Sequence, residues 1–572
     1  MKKKIFLIGA LLSFFALTGC SIDKTPVEVK SLPFKNYNEY YDVKAQNLDT
    51  YYVDGSLVPY VSLENYIKTM DGLLDSSKYA CRANALFKEY VVKTSVSNNN
   101  ISIIFDYGSD KILTITDNAF SNLIDIKSTI DYSFNLKYRD EEVYPGKSII
   151  LDLAKYGFDM RYINGNLLIP FQIANGLFGG LNYNSTYYTG TSYYNFYFSD
   201  RYSDTITTEE KNAMKSSVSA TLDNEELRKS NYNYLCFYMD YFYGLKELKK
   251  FESFDSYISS DIKNLLLSSN PNEYTKGYAK IVQLLNECHT SIHSYAYEYN
   301  GPTISYSAED SEYKASSFAD SKKTQQALAP LAKEHYGKDL QNQIEIVGDT
   351  CYIFYLNFNT GDKADVKDEF DNIDDDAYLY DTYYLYLKAF EMIKNNPTPV
   401  KNVVVDLSIN GGGNNGAQMR AIGFSSKNGR IKIGHRDSLT NLTYMLTYDV
   451  DTNNDGLYDE NDGYTNYNWY ILTSNYSYSS ANLYTHYAKY INPNVKIIGK
   501  KAGGGGCAIT PMILIDGTIF QISSKNQSIT LTSRGTSYDY KLLEEGPAVD
   551  YELDYNYYYD RTYLNEFLSE LK

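Results

Sequence analysis

Two short turns in the second half of the chain carry the groups that acyl-transfer chemistry needs. The first closes the run Val403-Val404-Val405-Asp406-Leu407-Ser408-Ile409-Asn410-Gly411-Gly412-Gly413. Three glycines after a buried-type strand let the backbone turn sharply and present bare N–H groups. An oxyanion hole needs such donors. A phosphate cradle needs them too, but neither GxxxxGK[ST] nor GxGxxG followed by an acid occurs. The second turn is Ser477-Tyr478-Ser479-Ser480-Ala481-Asn482, at the start of an expected helix. Serine there serves as a helix cap. It also sets a hydroxyl beside free N–H groups at a positive dipole end, which suits a nucleophile. A serine nucleophile needs a base. The chain has only 5 histidines, at positions 289, 293, 335, 435 and 486. His289 ends an apolar helical run, Leu284-Leu285-Asn286-Glu287-Cys288-His289-Thr290. His289 and His293 have the spacing of half a zinc site, yet no HExxH and no further ligand cluster accompanies them.

A separate oxygen-rich loop fits calcium. Asp451, Asn453, Asp455, Leu457 (through its carbonyl), Asp459 and Asp462 fall on the ligand positions of a calcium loop, with Gly456 where the turn is sharpest. The last ligand is Asp462 in place of the usual glutamate, as in dockerin-type loops. The expected role of Ca²⁺ is structural, stiffening an insertion ahead of the strand Asn468–Thr473. No cofactor is expected for catalysis.

The elements that must position these turns follow from periodicity. From Gly348 onward strands and helices alternate: strand Cys351–Asn357, helix Tyr378–Asn395, strand Asn402–Leu407, strand Asn468–Thr473, helix Ser480–Tyr490, strand Lys496–Gly499. Such alternation predicts an α/β domain with a mostly parallel sheet, its functional turns at the C-terminal strand ends. Residues 207–287 read as helical, with apolar spacing over Asp223–Leu245 and Ile258–Leu267. Residues 301–345 read as a polar connection with a helix near Thr324–His335. Residues 46–200 read as β-rich, with strands such as Ile101–Phe105 and Lys111–Ile115. This part echoes itself. Val53-Asp54-Gly55 to Tyr60 and Tyr162-Ile163-Asn164-Gly165 to Phe171 share a strand, turn and Pro-led helix entry. Both resemble stalk-like modules named for the N-terminal domain of copper amine oxidases, and a spacer role is expected.

The N-terminus sets the compartment. Lys2, Lys3 and Lys4 precede an apolar run, Ile5 to Leu17, too short to span a bilayer and right for a secretion signal. It ends in Leu17-Thr18-Gly19-Cys20, which resembles the lipobox of bacterial lipoproteins. The resemblance implies cleavage before Cys20 and lipid on its sulfur, holding the chain at a membrane on the outer or periplasmic side. The net charge is −17 over 572 residues. An acidic chain argues against nucleic acid or anionic lipid headgroups as partners. The other cysteines, Cys81, Cys236, Cys288, Cys351 and Cys507, form no CxxC pair and no disulfide framework. The 62 tyrosines fit compositional bias.

Five segments, in order, resemble the tail-specific (C-terminal-processing) protease family, to which the core of tricorn protease also belongs. Leu284 to Thr290 resembles "LLxDGHT". Val403 to Gly413 resembles "LILDLRGNGGG". Ser477 to Asn482 resembles "TASSAE", which puts the nucleophile at Ser479. Ile497-Ile498-Gly499 and Gly503 to Cys507 resemble "VVGEPTGGGGCA", and Glu544 to Asp550 resembles "ENGIEPD". The pieces span residues 280–555. The resemblance implies a ClpP/crotonase-like mostly parallel core behind a helical cap and a β-rich N-terminal module. It also implies a serine peptidase acting on peptides or protein tails. One branch of the family uses a lysine inside "FGKG"; here that position is Gly505, and Lys500 and Lys501 are displaced from it. The tricorn-like branch fits better: His289 as base, Ser479 as nucleophile and Glu544 (or Glu545) as supporting acid, with Gly411, Gly412 and the N–H of Ser480 holding the oxyanion. Glu287-Cys288 replaces the family's Asp-Gly, and Asn482 replaces its Glu. A silent relative that binds peptides or glycans at a surface is the alternative. The expected organisation is a signal peptide over 1–19, a tether over 20–45, a stalk-like module over 46–200 and a helical part over 205–300. The connection 301–345 and a catalytic domain over 346–572 complete it.

Overall fold

The computed structural model describes residues 25–96, 99–121, 123, 134–197, 206–294, 316–337, 340–361, 373–534 and 537–571. Cys20 and its lipobox lie outside the described residues, as does residue 1–24 as a whole.

Four sheets form among the described residues. The one that carries the two chemical turns has six strands, in the order Gln343–Val347, Thr350–Phe354, Asn402–Asp406, Asn468–Thr473, Lys496–Gly499 and Tyr551–Glu552. Its first pair is antiparallel and the rest are parallel. Val403, Val404 and Val405 are fully buried, as a strand covered on both faces must be. The helices Thr382–Asn395, Asn415–Phe424 and Ser480–Ile491 pack one face through Ala389, Ile422 and Tyr484. Helix Arg561–Glu570 packs the other through Leu564 and Leu568.

The expectation of a mostly parallel, ClpP/crotonase-like core is not met. The molecule is a mixed α/β fold with mostly antiparallel sheets. A seven-stranded sheet in the same half is antiparallel throughout. It joins Ser291–Ser294, Ile519–Arg534, Arg430–Asp437, Thr443–Val450 and Leu136–Tyr144, with Cys507–Ile513 and Ser537–Leu542 also on Ile519–Arg534. The physical reason lies in the connections. Parallel neighbours need a crossover of a dozen residues or more, usually a helix, whereas antiparallel ones need only a tight turn. Among the described residues of 430–450 and 507–542 there is no helix, and the strands fold back on one another in antiparallel pairs.

The N-terminal part holds a five-stranded antiparallel sheet and a seven-stranded one. Asn99–Asp106 and Lys111–Thr114 pair in the former. The sequence echo has a structural counterpart. Asp54-Gly55 and Asn164-Gly165 both take positive φ at both residues, and Asn164-Gly165 closes a two-residue hairpin between Arg161–Ile163 and Asn166–Pro170. The strands that follow, Tyr60–Ser62 and Asn166–Pro170, pair with each other, and each feeds a short helix. This part packs against the C-terminal half. One apolar core runs from Phe34 through Tyr238 to Met512 and Phe520, and the strand Leu136–Tyr144 pairs along the hairpin strand Thr443–Val450. Among the described residues no helix is long and apolar enough to cross a membrane.

Candidate active site

The strand Asn468–Thr473 delivers the chain to a tight turn whose three serines have separate tasks. Ser477 Oγ donates to Leu407 O at 2.6 Å and accepts from Ser474 N–H at 2.9 Å, tying the two turns together. Ser480 Oγ donates to Gly413 O at 2.8 Å. Ser479 caps the helix Ser480–Ile491 by position, but its hydroxyl makes no capping bond. Its backbone sits at φ 54°, ψ −119°, a conformation that costs a side-chain-bearing residue of order 1–3 kcal/mol and clusters at active sites. The turn is held there by Ser479 N–H on Gly504 O at 2.9 Å and Tyr478 N–H on Asn410 O at 3.1 Å.

The glycine turn fits against this serine because it has no side chains. A Cβ on Gly412 would lie 2.7 Å from Ser479 Cβ, and Gly412 is at φ 107°. Of the expected oxyanion donors, Gly411 gives its N–H to Leu356 O at 3.2 Å and Gly412 gives its N–H to Asn410 Oδ1 at 2.9 Å. The N–H of Ser480 opens the helix and has no intrahelical acceptor. Gly413, the third glycine of the turn and outside the expected oxyanion set, lines the cavity in front of Ser479, and its N–H has no acceptor among the described residues.

His289 reaches the same cavity from the far side of the fold. Helix Pro271–Leu285 ends at Asn286 in the left-handed conformation, which turns the chain towards the site. Glu287 then accepts the N–H of His289 at 2.7 Å and the hydroxyl of Thr290. Gln521 Nε2 donates to His289 O at 2.7 Å. The loop is therefore clamped on both sides of the histidine, and Glu287, a departure from the family pattern, is one of its clamps. The imidazole packs edge-on against the Tyr478 ring, centroids 5.0 Å apart. Its Nδ1 is buried, with no hydrogen-bond partner among the described residues. Burial pushes the imidazole down to about 4, because a charged ring is poorly solvated there.

Glu544 stands behind the glycine run, not on the histidine. Its Oε2 accepts Gly506 N–H at 2.7 Å, and among the described residues no hydrogen bond joins it to His289. Burial first, then the neighbouring Glu287, push its carboxyl up to about 8, although the Gly506 N–H pulls the other way. Glu287 is itself raised by burial. Glu545, the alternative acid, pairs with Lys501 at 3.0 Å, and Lys500 pairs with Glu552 at 3.0 Å. Gly505, at the family's lysine position, has φ 91°, and a Cβ there would lie 2.6 Å from the Tyr478 ring. Asn482, the other departure, donates to Leu543 O at 2.8 Å and so ties the helix to the segment leading into Glu544.

Ser479, His289, Gly411, Gly413 and Ser480 all line one cavity of about 650 Å³. Cys288, Cys507, His435, Tyr476 and Tyr183 line it too. The five described cysteines are free thiols. An aromatic and apolar wall with a few convergent polar groups is the ordinary make-up of a ligand site.

The calcium-type loop lies away from this cavity. Gly456 takes φ 80°, and Asp451 accepts N–H groups from Asn454 at 2.6 Å and Gly456 at 2.8 Å. Asp462 accepts from Thr452 at 2.7 Å and Asp459 at 3.0 Å. Asn453 and Asp455 bond each other at 3.1 Å, and Leu457 N–H donates to Asp455. Burial and the loop's own negative charge raise the Asp462 carboxyl. Among the described residues no three acidic, cysteine or histidine side chains are gathered as a metal site.

Residues 350–536 match the model of peptidase family S41. That stretch holds the central strands, the glycine turn and Ser479. Among solved structures the chain is similar to a candidate peptidase from Parabacteroides merdae, at 17% identity over 57% of this chain and 89% of that one, with a TM-score of 0.38. It is similar to a lipoprotein from Streptococcus agalactiae at 14% identity, covering 54% and 86%, with a TM-score of 0.31. It is also similar to the tricorn protease at 11% identity, covering 86% and 46%, with a TM-score of 0.27. No curated protein matches the chain.

Proposed function

We propose that the chain is a serine-type peptidase that hydrolyses peptide bonds of peptides or protein tails. Ser479 is the nucleophile and His289 the general base. The observation that carries this reading is the shared cavity. A serine hydroxyl free of capping duty, on a strained turn, faces the same 650 Å³ space as a neutral buried imidazole. Ser479 Oγ attacks the scissile carbonyl carbon while His289 takes its proton. The negative oxygen that forms needs donors, and the N–H groups of Ser480 and Gly413 are those not already engaged. The imidazolium returns its proton to the leaving amine, and water repeats the sequence on the acyl-enzyme. Glu544 acts at one remove, fixing the glycine run that holds Ser479 N–H.

The orphaned Nδ1 of His289 favours a second reading. Without a carboxylate on that nitrogen the imidazolium is less well supported, and the cleft would then bind peptides without cutting them. A fluorophosphonate probe separates the two. Covalent labelling of Ser479, lost in Ser479→Ala, supports the peptidase; an unlabelled wild-type chain that still binds peptides supports the silent relative. The reading includes a lipid anchor on Cys20 at the outer or periplasmic side of a membrane, supported by the lipobox-like run. It also includes Ca²⁺ at Asp451, Asn453, Asp455, Leu457, Asp459 and Asp462, supported by the all-oxygen donor set and by two buried like charges that a cation would relieve.

A further inference from the structure

The cavity in front of Ser479 does not end at its own walls. A second cavity of about 330 Å³ adjoins it and shares Tyr183, Ile509 and Asn526 with it. Tyr183 stands between the two. It comes from the N-terminal module, far from the stretch that matches the peptidase family, and its hydroxyl donates to Ile509 O at 2.6 Å. Its backbone is left-handed, φ 58°, ψ 21°, which is uncommon for a bulky residue. The strand Cys507–Ile513 is thus bounded on one side by its hairpin partner and on the other by a tyrosine from elsewhere in the chain.

The second cavity differs in character from the first. It is lined by Asp117, Asn118 and Ser121 of the N-terminal module and by Lys525 of the strand Ile519–Arg534. Lys525 is almost wholly buried and pairs with both Asp117, at 2.7 Å, and Asp437. Two carboxylates around one ammonium leave a net negative charge, and of the two only Asp117 lines the cavity. Lys525 and Asp117 both line the cavity, but the Lys525 side chain is 6% exposed and that of Asp117 is 18% exposed, so the carboxylate is the more accessible member of the pair. Asn118, beside it, is exposed.

We propose that this second cavity is a specificity subsite that takes a lysine or arginine side chain of the bound peptide, with Tyr183 dividing it from the catalytic cavity and Asp117 as its anionic anchor. The inference rests on the reading of the main cavity as a peptide cleft, but not on that cleft being catalytic. A peptide lying across Ser479 passes Tyr183 and reaches Asp117 with one neighbouring side chain. The N-terminal module is then part of the substrate site, since a chain without it lacks both the divider and the anchor.

The test uses the full chain with Ser479→Ala, so that binding is read without turnover. Fluorescent peptides of one length carry Lys, Glu or Leu at each position in turn, and affinity is read by anisotropy. The expected result is one position at which Lys binds about tenfold or more tighter than Glu, a difference of about 1.4 kcal/mol. Asp117→Asn should collapse that ratio towards one. Asn118→Lys, at an exposed position where folding is not at stake, should reverse it. No binding, no position with a Lys preference, or a preference that survives both substitutions overturns the subsite. Hydrolysis by the wild-type chain is scored separately on the same peptides. Absent turnover with intact Lys preference would count against the peptidase reading and leave the subsite standing.

Discussion

At the scale of single residues, the site is built by division of labour among like groups. Three serines occupy one turn, and only Ser479 keeps its hydroxyl out of the scaffold. That distinction was legible in the sequence only through the family pattern, because helix capping suits all three equally. The two departures from that pattern read differently once placed. Glu287 clamps the histidine loop, and Asn482 ties down the segment ahead of Glu544. Composition shows the residue types; the backbone groups they hold become visible only in the fold. Glu544 gives a prediction with a definite sign. Its carboxyl is ordinarily near 4.5 and stands at about 8 in the folded chain. The folded state therefore holds a proton that the unfolded state lacks between those values. The stability this contributes is full below about 4.5 and is lost as pH rises through 8. Melting temperature should fall between pH 6 and 9 in the wild type, and Glu544→Gln should flatten that fall. Equal slopes in the two proteins would show that Glu544 does not titrate in this window.

At the scale of elements, periodicity located the strands and helices that carry the two turns. The helix expected at Ser480–Tyr490 spans Ser480–Ile491. The helix expected over Tyr378–Asn395 is broken at Asp381, whose carboxylate caps the second part through the N–H groups of Tyr383 and Tyr384. The antiparallel hairpins over 430–450 and 507–542 were not foreseen, because the alternation of strand and helix on either side suggested a single parallel sheet. The oxyanion side shows why element geometry matters. Both expected glycine donors spend their N–H groups on fixing the turn, and among the described residues the unengaged N–H falls on the next residue, Gly413. Gly412→Ala should be severe, since its Cβ would lie 2.7 Å from Ser479 Cβ and 2.8 Å from Tyr478 O, at φ 107°. A loss of kcat/KM of about 100-fold is expected from displacing the nucleophile, with a stability cost of about 1–3 kcal/mol. Wild-type kinetics in Gly412→Ala would mean that the two turns do not pack as described.

At the scale of the whole molecule, the N-terminal part and the C-terminal half share one core and one cleft. The Tyr183 contact spans 326 residues of sequence, and no local pattern encodes a meeting at that range. Two further expectations belong to this scale. Millimolar Ca²⁺ should raise the melting temperature by mass action on the folded state, with an affinity on the order of 10⁻⁴ to 10⁻³ M. Asp451→Ala should abolish the rise, and an unchanged melting curve in the wild type would remove calcium from the account. Cys20→Ala should move the protein from the membrane pellet to the soluble fraction, because lipid supplies the anchoring energy. Persistence in the pellet at high salt would argue against that anchor.

The central claim is that Ser479 and His289 act as one catalytic unit, and steady-state peptide hydrolysis across pH tests it most directly. Burial holds the imidazole near 4, below its ordinary 6.5, so the base is neutral over most of the accessible range. Activity should therefore rise as pH climbs through about 4 and be level by pH 6 to 7. Ser479→Ala and His289→Ala should each abolish turnover, and the double substitution should be no worse than either, as members of one unit fail together. Lys500→Ala and Lys501→Ala should remain active. Full activity in His289→Ala, together with loss in either lysine variant, would contradict the account and assign the proton to a lysine.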